Sequence, residues 1–85
     1  MAMFSFTLTV DGADILDAAA LDALFEAGCD DATFGSAGSV QTAQFDREAA
    51  DFADAVASAI KAVESAVPGA RVTEVHREPA AAAAG

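Results

Sequence analysis

The chain has 85 residues, of which 14 are acidic and 4 are basic, and its formal net charge is −10. The length limits it to a single domain, and the charge disfavours direct binding to nucleic-acid phosphates or to anionic membranes while allowing a basic protein partner. Only 19 of the 85 side chains are Leu, Ile, Val or Phe, so the sequence predicts a folded but marginal domain that gains stability by association.

The first part of the chain predicts a strand followed by a helix. Apolar residues alternate with serine and threonine over residues 4–10, which indicates a strand with one apolar face and one hydroxyl-bearing face. The Asp11-Gly12 pair ends this strand. In the helix that follows, Asp17 is the expected N-cap and Gly28 the left-handed residue that ends it. Its apolar positions are Leu21, Leu24 and Phe25.

The middle of the chain predicts a hairpin. Residues 32–36 and 40–45 have the composition of two strands, and the short loop between them contains glycine. Phe34 and Phe45 are the expected core residues of these strands. Gly35 lies inside a strand, which indicates a bulge or a position at the sheet edge.

A second helix and a last strand complete the pattern. Asp51 is the expected N-cap of a helix over residues 52–66, and Pro68-Gly69 stops it. The helix carries one apolar stripe, formed by Phe52, Val56, Ala59, Ile60 and Val63. Residues 70–76 predict a strand whose alternation is weak, so it is expected at a sheet edge.

The order βαββαβ predicts an α+β, ferredoxin-like fold with a four-stranded antiparallel sheet and both helices on one face. The expected strand order across the sheet is 4-1-3-2, in a single domain over residues 1–78 with an alanine-rich tail over 79–85. The other sheet face is expected to be small, polar and uncharged. Its predicted side chains are Ser5, Thr7, Thr9, Thr33, Gln41 or Thr42, and Thr73.

The single cysteine, Cys29, excludes an internal disulfide and favours a cytoplasmic location. A buried structural thiol is the favoured interpretation, because a nucleophile needs a base and positive surroundings. Asp30 and Asp31 follow it directly. They are expected in a solvated turn after the helix cap rather than in a cation site, since no other ligand has matching spacing.

Asp46-Arg47-Glu48 is predicted to lie between the third strand and the second helix. A structural ion pair or a clamp at the start of that helix is favoured, and anion binding at the helix N-terminus is the alternative. His76 lies between Glu74 and Glu78, where an exposed histidine is favoured over a weak metal site or a pH-sensitive contact.

The known catalytic patterns are missing. The sequence has no Walker loop, no GxGxxG, no Ser/His/Asp arrangement and no aromatic platform for RNA. It also has no apolar run of membrane-spanning length and no signal-peptide pattern. We therefore expect no enzymatic activity, no cofactor and no metal ligand.

Three spaced blocks resemble one family. The blocks LFEAGCDDATF (24–34), FDREA (45–49) and SAI with VE (58–64) are similar to the N-terminal α/β half of small bacterial proteins labelled DNA-binding or antitoxin-like. In that family a helix-turn-helix follows, whereas here the chain continues into Pro79 and alanines. The resemblance therefore implies an assembly or partner-binding half without DNA binding. The matching positions, expected at corners between elements, are Gly28, Cys29, Asp30, Asp31, Phe45, Asp46, Arg47 and Glu48.

The leading hypothesis is a non-enzymatic protein-interaction or assembly module. It would be an antitoxin-like or accessory subunit, either a homo-oligomer or part of a complex, and its charge allows a basic protein partner. The expected partner-binding residues are Asp30, Asp31, Asp46, Arg47 and Glu48; the expected structural residues are Gly28, Cys29, Phe34 and Phe45. Two alternatives stay open: an ACT-like sensor with a small ligand near Gly12 and Gly28 at a dimer interface, and an acidic mimic of nucleic acid.

Overall fold

Four strands and two helices follow one another in the predicted order βαββαβ, in a computed structural model that describes residues 2–77. The strands are β1 (Ala2–Asp11), β2 (Ala32–Ala37), β3 (Val40–Ala49) and β4 (Arg71–Arg77), and the helices are α1 (Ala18–Glu26) and α2 (Phe52–Ala66). The predicted tail over 79–85 lies outside the described residues. Neither helix in the described range has the length and apolar character needed to cross a membrane.

The four strands form one antiparallel sheet in the order β2-β3-β1-β4. This is the predicted order 4-1-3-2 read from the other edge. β1, the most regular apolar strand of the sequence, is central, and the weakly alternating β4 is at an edge as expected. Gly35 lies in the other edge strand, β2, whose pairing with β3 has no register shift. The glycine therefore marks an edge and not a bulge.

One face of the sheet and both helices enclose a single core. Phe6 and Leu8 of β1 and Phe45 of β3 are fully buried on this face, together with Leu24 of α1 and Val63 of α2. The rings of Phe6 and Phe45 stack with their centroids 5.5 Å apart. Each such side chain contributes about 1.5–3 kcal/mol through burial. The predicted two-layer core is therefore present, with Phe34 packed at its margin as a half-buried residue.

Both helices begin at the predicted aspartates. The side chain of Asp17 accepts a hydrogen bond from the backbone N of Ala19 at 3.2 Å, and that of Asp51 accepts one from the backbone N of Asp54 at 2.8 Å. Each carboxylate thereby satisfies an amide that the helix itself leaves without a partner.

α1 ends in a Schellman motif. Gly28 has φ +98°, and its amide donates to the carbonyl of Phe25, while the amide of Cys29 donates to the carbonyl of Leu24. This pair of bonds defines the motif and places the residue after the glycine back against the last turn. It explains why Cys29 is fully buried, as the sequence predicted.

The connection from β1 to α1 contains a core residue that the sequence pattern did not indicate. Ile15 is fully buried, although no periodic segment surrounds it. The Gln41 side chain holds this connection, because its Oε1 accepts from the backbone N of Ile15 at 2.8 Å and its Nε2 donates to the carbonyl of Ala13 at 2.7 Å. The sequence left open whether Gln41 or Thr42 is on the open face of the sheet. Thr42 is on that face, where it pairs with Thr9.

The open face of the sheet is charged, which corrects the prediction of an uncharged face. Residues opposite one another in antiparallel strands point to the same side. The register therefore adds Asp46 and Glu48 from β3, and Glu74 and His76 from β4, to the serine and threonine side chains of β1. The sequence missed the β3 acids because β3 is four residues longer than its apolar alternation suggested.

Candidate functional site

Asp46, Arg47 and Glu48 lie inside β3 and not in the predicted connection to α2. The strand continues because β1 begins at Ala2 and pairs with it as far as Ala49. Side chains alternate along a strand, so Arg47 follows Phe45 on the helix-covered face. The expected position of this block at a corner between elements was therefore wrong.

The guanidinium of Arg47 makes a dense set of contacts within the protein. Its Nε and Nη2 donate to the two carboxylate oxygens of Asp31 at 2.8 and 2.9 Å, Nη2 also donates to the carbonyl of Gly28 at 2.9 Å, and Nη1 donates to Oγ of Ser58 at 3.0 Å. Its carbon Cζ lies 5.0 Å from the ring centroid of Phe45. Four of the five N–H groups of the side chain are thus used internally.

This network joins the end of α1, the start of β2, strand β3 and helix α2. The hydrogen bonds that Arg47 donates to Asp31 raise the pKa of Arg47 above its ordinary value, so the side chain stays charged. An ion pair is present, but its acid is Asp31 and not either neighbour of Arg47 in sequence. Because almost all of its donors are occupied, Arg47 is arranged as a structural clamp and has little capacity left for an external anion.

Cys29 lies beside this network as a free, fully buried thiol. Burial raises its pKa; Arg47 opposes this effect, and the nearby carboxylates of Asp31 and Asp30 add to it. The thiol is therefore protonated at neutral pH. A buried, protonated thiol is inert as a nucleophile, so the side chain serves the packing of the α1 cap.

The five residues predicted to bind a partner do not form one surface. Asp31 and Arg47 are bound to each other on the helix-covered side. Asp46 and Glu48 point to the open face of the sheet, where Asp46 accepts a hydrogen bond from Ser5 Oγ at 2.5 Å. Asp30 is exposed in the turn after α1. The five residues therefore lie in three separate places.

Glu74 and His76 are exposed on the open face, opposite Thr9 and Thr7. The third member of the predicted group, Glu78, lies outside the described residues. Within residues 2–77, no three His, Cys, Asp or Glu side chains converge in a way that would hold a metal ion.

The two glycines of the sensor hypothesis have separate roles in the fold. Gly12 (φ +88°) packs against a neighbouring loop, where an added Cβ atom would collide with the carbonyl oxygen of Gly69. Gly28 forms the cap of α1. Each glycine is therefore explained by backbone geometry.

The outward surface of α1 carries an aromatic residue that was expected in the apolar stripe. Phe25 is 65% exposed, whereas its neighbour Leu24 is fully buried. Adjacent residues on a helix point about 100° apart, so a nine-residue helix that buries Leu24 turns Phe25 outward. Phe25 lines an open depression together with Leu21, Asp22 and Glu26. We call these four residues the α1 surface; its sequence signals are the directly adjacent Leu24-Phe25 pair and the four-residue spacing of Asp22 and Glu26.

The charges of the α1 surface are unfavourable within the helix itself. Asp22 and Glu26 have the i, i+4 spacing at which like charges repel. Glu26 is also in the last turn, where the helix dipole disfavours an anion, and this turn contains no basic residue. The helix therefore keeps two carboxylates whose electrostatic free energy a nearby cation would lower.

No match was found when the chain was compared with protein-family models, with curated proteins and with solved structures.

Proposed function

We propose that this chain is a non-enzymatic protein-interaction module that binds a basic protein partner through the α1 surface. The observation that carries the proposal is Phe25, an aromatic side chain 65% exposed between Asp22 and Glu26. The function is the one predicted from the sequence, but the proposed binding residues are on α1. Arg47 and its neighbours are not proposed, because the Arg47 side chain is occupied within the fold.

The apolar part of the α1 surface suits an anchor contact. Aromatic residues dominate binding free energies in protein interfaces because they bury a large area with few rotatable bonds. The half-buried Leu21 lies one turn before Phe25, so the two side chains are neighbours on the helix and form one apolar patch. A partner side chain placed on this patch would remove the Phe25 ring from water.

The charged part of the α1 surface indicates the sign of the partner. Lys or Arg side chains next to Asp22 and Glu26 would relieve their mutual repulsion and the unfavourable dipole interaction of Glu26. Asp30, exposed just after the helix, adds a further negative charge. The net charge of −10 would also speed the approach of a basic protein.

We further infer that the chain has the ferredoxin-like fold, because its element order, its strand order and the placement of both helices over one sheet face agree with that topology. The resemblance to the antitoxin-like half stays a prediction. The resemblance supports the proposal in one respect, because the antitoxin-like half is expected to bind a partner.

A titration followed by NMR tests the proposal. The probe is an amphipathic peptide of lysine and leucine, and a peptide of the same charge without leucine is the comparison. We expect chemical-shift changes concentrated on α1, loss of binding in Phe25→Ala, and unchanged binding in the matched control Met3→Ala. Met3 is a suitable control because it is 62% exposed on the open face of the sheet, away from the helices.

Two results would overturn the proposal. One is that Phe25→Ala binds the lysine-leucine peptide as tightly as the original chain. The other is that both peptides bind equally and shift residues over the whole acidic surface, as expected for an acidic mimic of nucleic acid. Phe25→Ala should keep its fold because the side chain is mostly exposed, which the same spectra check.

A further inference from the structure

The two edges of the sheet are protected very differently. β4 carries four charged or titratable side chains, Arg71, Glu74, His76 and Arg77, which is the usual protection of an edge strand against pairing with another chain. β2 is at the other edge and has the sequence Ala-Thr-Phe-Gly-Ser-Ala, without a charge or a proline. Within residues 2–77 no strand other than β3 pairs with β2, so its outer edge is open to a further strand.

The backbone of β2 presents hydrogen-bonding groups along this edge. The amide of Asp46 donates to the carbonyl of Asp31 at 3.2 Å, which makes this pair a hydrogen-bonded one. Hydrogen-bonded pairs alternate along an antiparallel ladder, so residues 33 and 35 also bond to β3. The N–H and C=O groups of Phe34 and Ser36 consequently point away from the sheet.

We propose that β2 pairs antiparallel with β2 of a second copy of this chain and joins two sheets into one of eight strands. A register with Phe34 opposite Phe34 of the second copy places small residues, Ala32 and Ser36, opposite each other on both sides. Phe34 is half-buried, and an aromatic pair across two strands adds to the stability of the pairing. Gly35 has no atom within 4 Å of an added Cβ, so it offers no obstacle.

The charge distribution favours a second copy as the occupant. The acidic residues Asp30 and Asp31 lie at one end of β2, and the neutral loop Gly38-Ser39 lies at the other. Antiparallel pairing therefore places the acidic end of each copy beside the neutral end of the other. Six residues of strand separate the two acidic ends by roughly 20 Å, which exceeds the Debye length of about 8 Å at physiological salt. The acidic ends of two paired copies therefore add little direct repulsion at this edge.

The inference uses a different element from the α1 surface and does not depend on the proposed function. Two short strands form an interface at the small end of the known range, so we expect dimers in roughly the micromolar range. Sedimentation of the full chain over a concentration series should show a rise from the 8.5 kDa chain mass to twice that value.

Substitutions at one edge position make the test specific. Ser36→Pro removes an amide that points outward, and Ser36→Lys adds a charge of the kind that protects edge strands. We expect each variant to weaken dimerisation about tenfold or more, since outward hydrogen bonds are lost or a charge is confined in the interface. His76→Lys is the matched control, because it adds a charge to the β4 edge and should leave the dimer unchanged.

A monomer at every concentration would overturn the proposal, as would a dimer that both Ser36 variants retain or one that His76→Lys dissociates. Circular dichroism of each variant checks the fold. Should Ser36→Pro unfold the chain, Ser36→Lys decides alone, since Ser36 is exposed and its side chain has no packing role.

Discussion

The Arg47 side chain holds several separate elements together. Its contacts extend from the carboxylate of Asp31 to the cap of α1 and to Ser58 on α2, and the ring of Phe45 lies beneath it. The Arg47 side chain is 14% exposed and that of Asp31 29%. An ion pair shielded to this degree, and made in a two-pronged geometry, contributes more than an exposed pair.

We predict that Arg47→Ala lowers the free energy of unfolding by about 2–3 kcal/mol, because several charge-assisted hydrogen bonds disappear and Asp31 loses its partner. Arg47→Lys keeps the charge but not the planar fork, and should cost about 1–2 kcal/mol. Urea denaturation provides the measurement. Lys61→Ala, which removes an exposed cation of α2, is the control with an expected change within about 0.5 kcal/mol. Equal effects of Arg47→Ala and Lys61→Ala would contradict the clamp.

The Asp31–Arg47 contact was not predictable from the sequence, although both residues were singled out. The apolar alternation of the third strand ends at Phe45, since Arg47 occupies the next inward position and interrupts the pattern. A charged residue on the covered face hides the period on which strand prediction relies. The pairing of β1 with β3 extends the strand, and only that long-range register reveals where Arg47 points.

The ends of the helices were predictable because each depends on the chemistry of a few neighbouring residues. Asp17 and Asp51 begin the helices, and Gly28 ends α1 with the expected left-handed residue. Cap motifs involve only a few neighbouring residues, so they can be recognised in a single sequence. The buried Ile15 was missed for the opposite reason, because a side chain 26 residues away, that of Gln41, holds its loop in place.

Gly12 and Gly69 are in close contact where two loops meet at one end of the sheet. Gly12→Ala should lower the free energy of unfolding by about 2 kcal/mol or more, since an L residue is disfavoured at φ +88° and its Cβ would collide with the carbonyl of Gly69. Gly38→Ala is the matched control. Gly38 also has a positive φ, +63°, but open space around it, so only the conformational cost of about 1 kcal/mol applies. Thermal melting of both variants compares them, and equal losses would show that the contact with Gly69 is unimportant.

At the level of the whole molecule, the charge of −10 acts in opposite directions on the two proposed interactions. The net negative charge of the chain attracts a basic peptide to the α1 surface. The same charge makes two copies of the chain repel one another as they approach through β2. The Debye length falls from about 30 Å at 0.01 M to about 8 Å at 0.15 M ionic strength.

We therefore predict that added NaCl weakens peptide binding and strengthens dimerisation. Isothermal titration with the lysine-leucine peptide measures the first effect, and sedimentation measures the second, in the same two buffers. A dimer that dissociates as NaCl is added would indicate that attraction between charges holds it together. That outcome would contradict pairing through the neutral β2 edge.

The first and last strands of the chain, β1 and β4, lie side by side in the sheet. Arg77 at the end of β4 pairs with Phe6 of β1, so the first and last strands are antiparallel neighbours, as β2 and β3 are. A circular permutant that joins β4 to β1 and opens the loop at Gly38 would again read βαββαβ, with the same strand order across the sheet. The fold therefore has an internal pseudo-twofold symmetry, and in such a permutant the uncharged edge strand becomes the final strand.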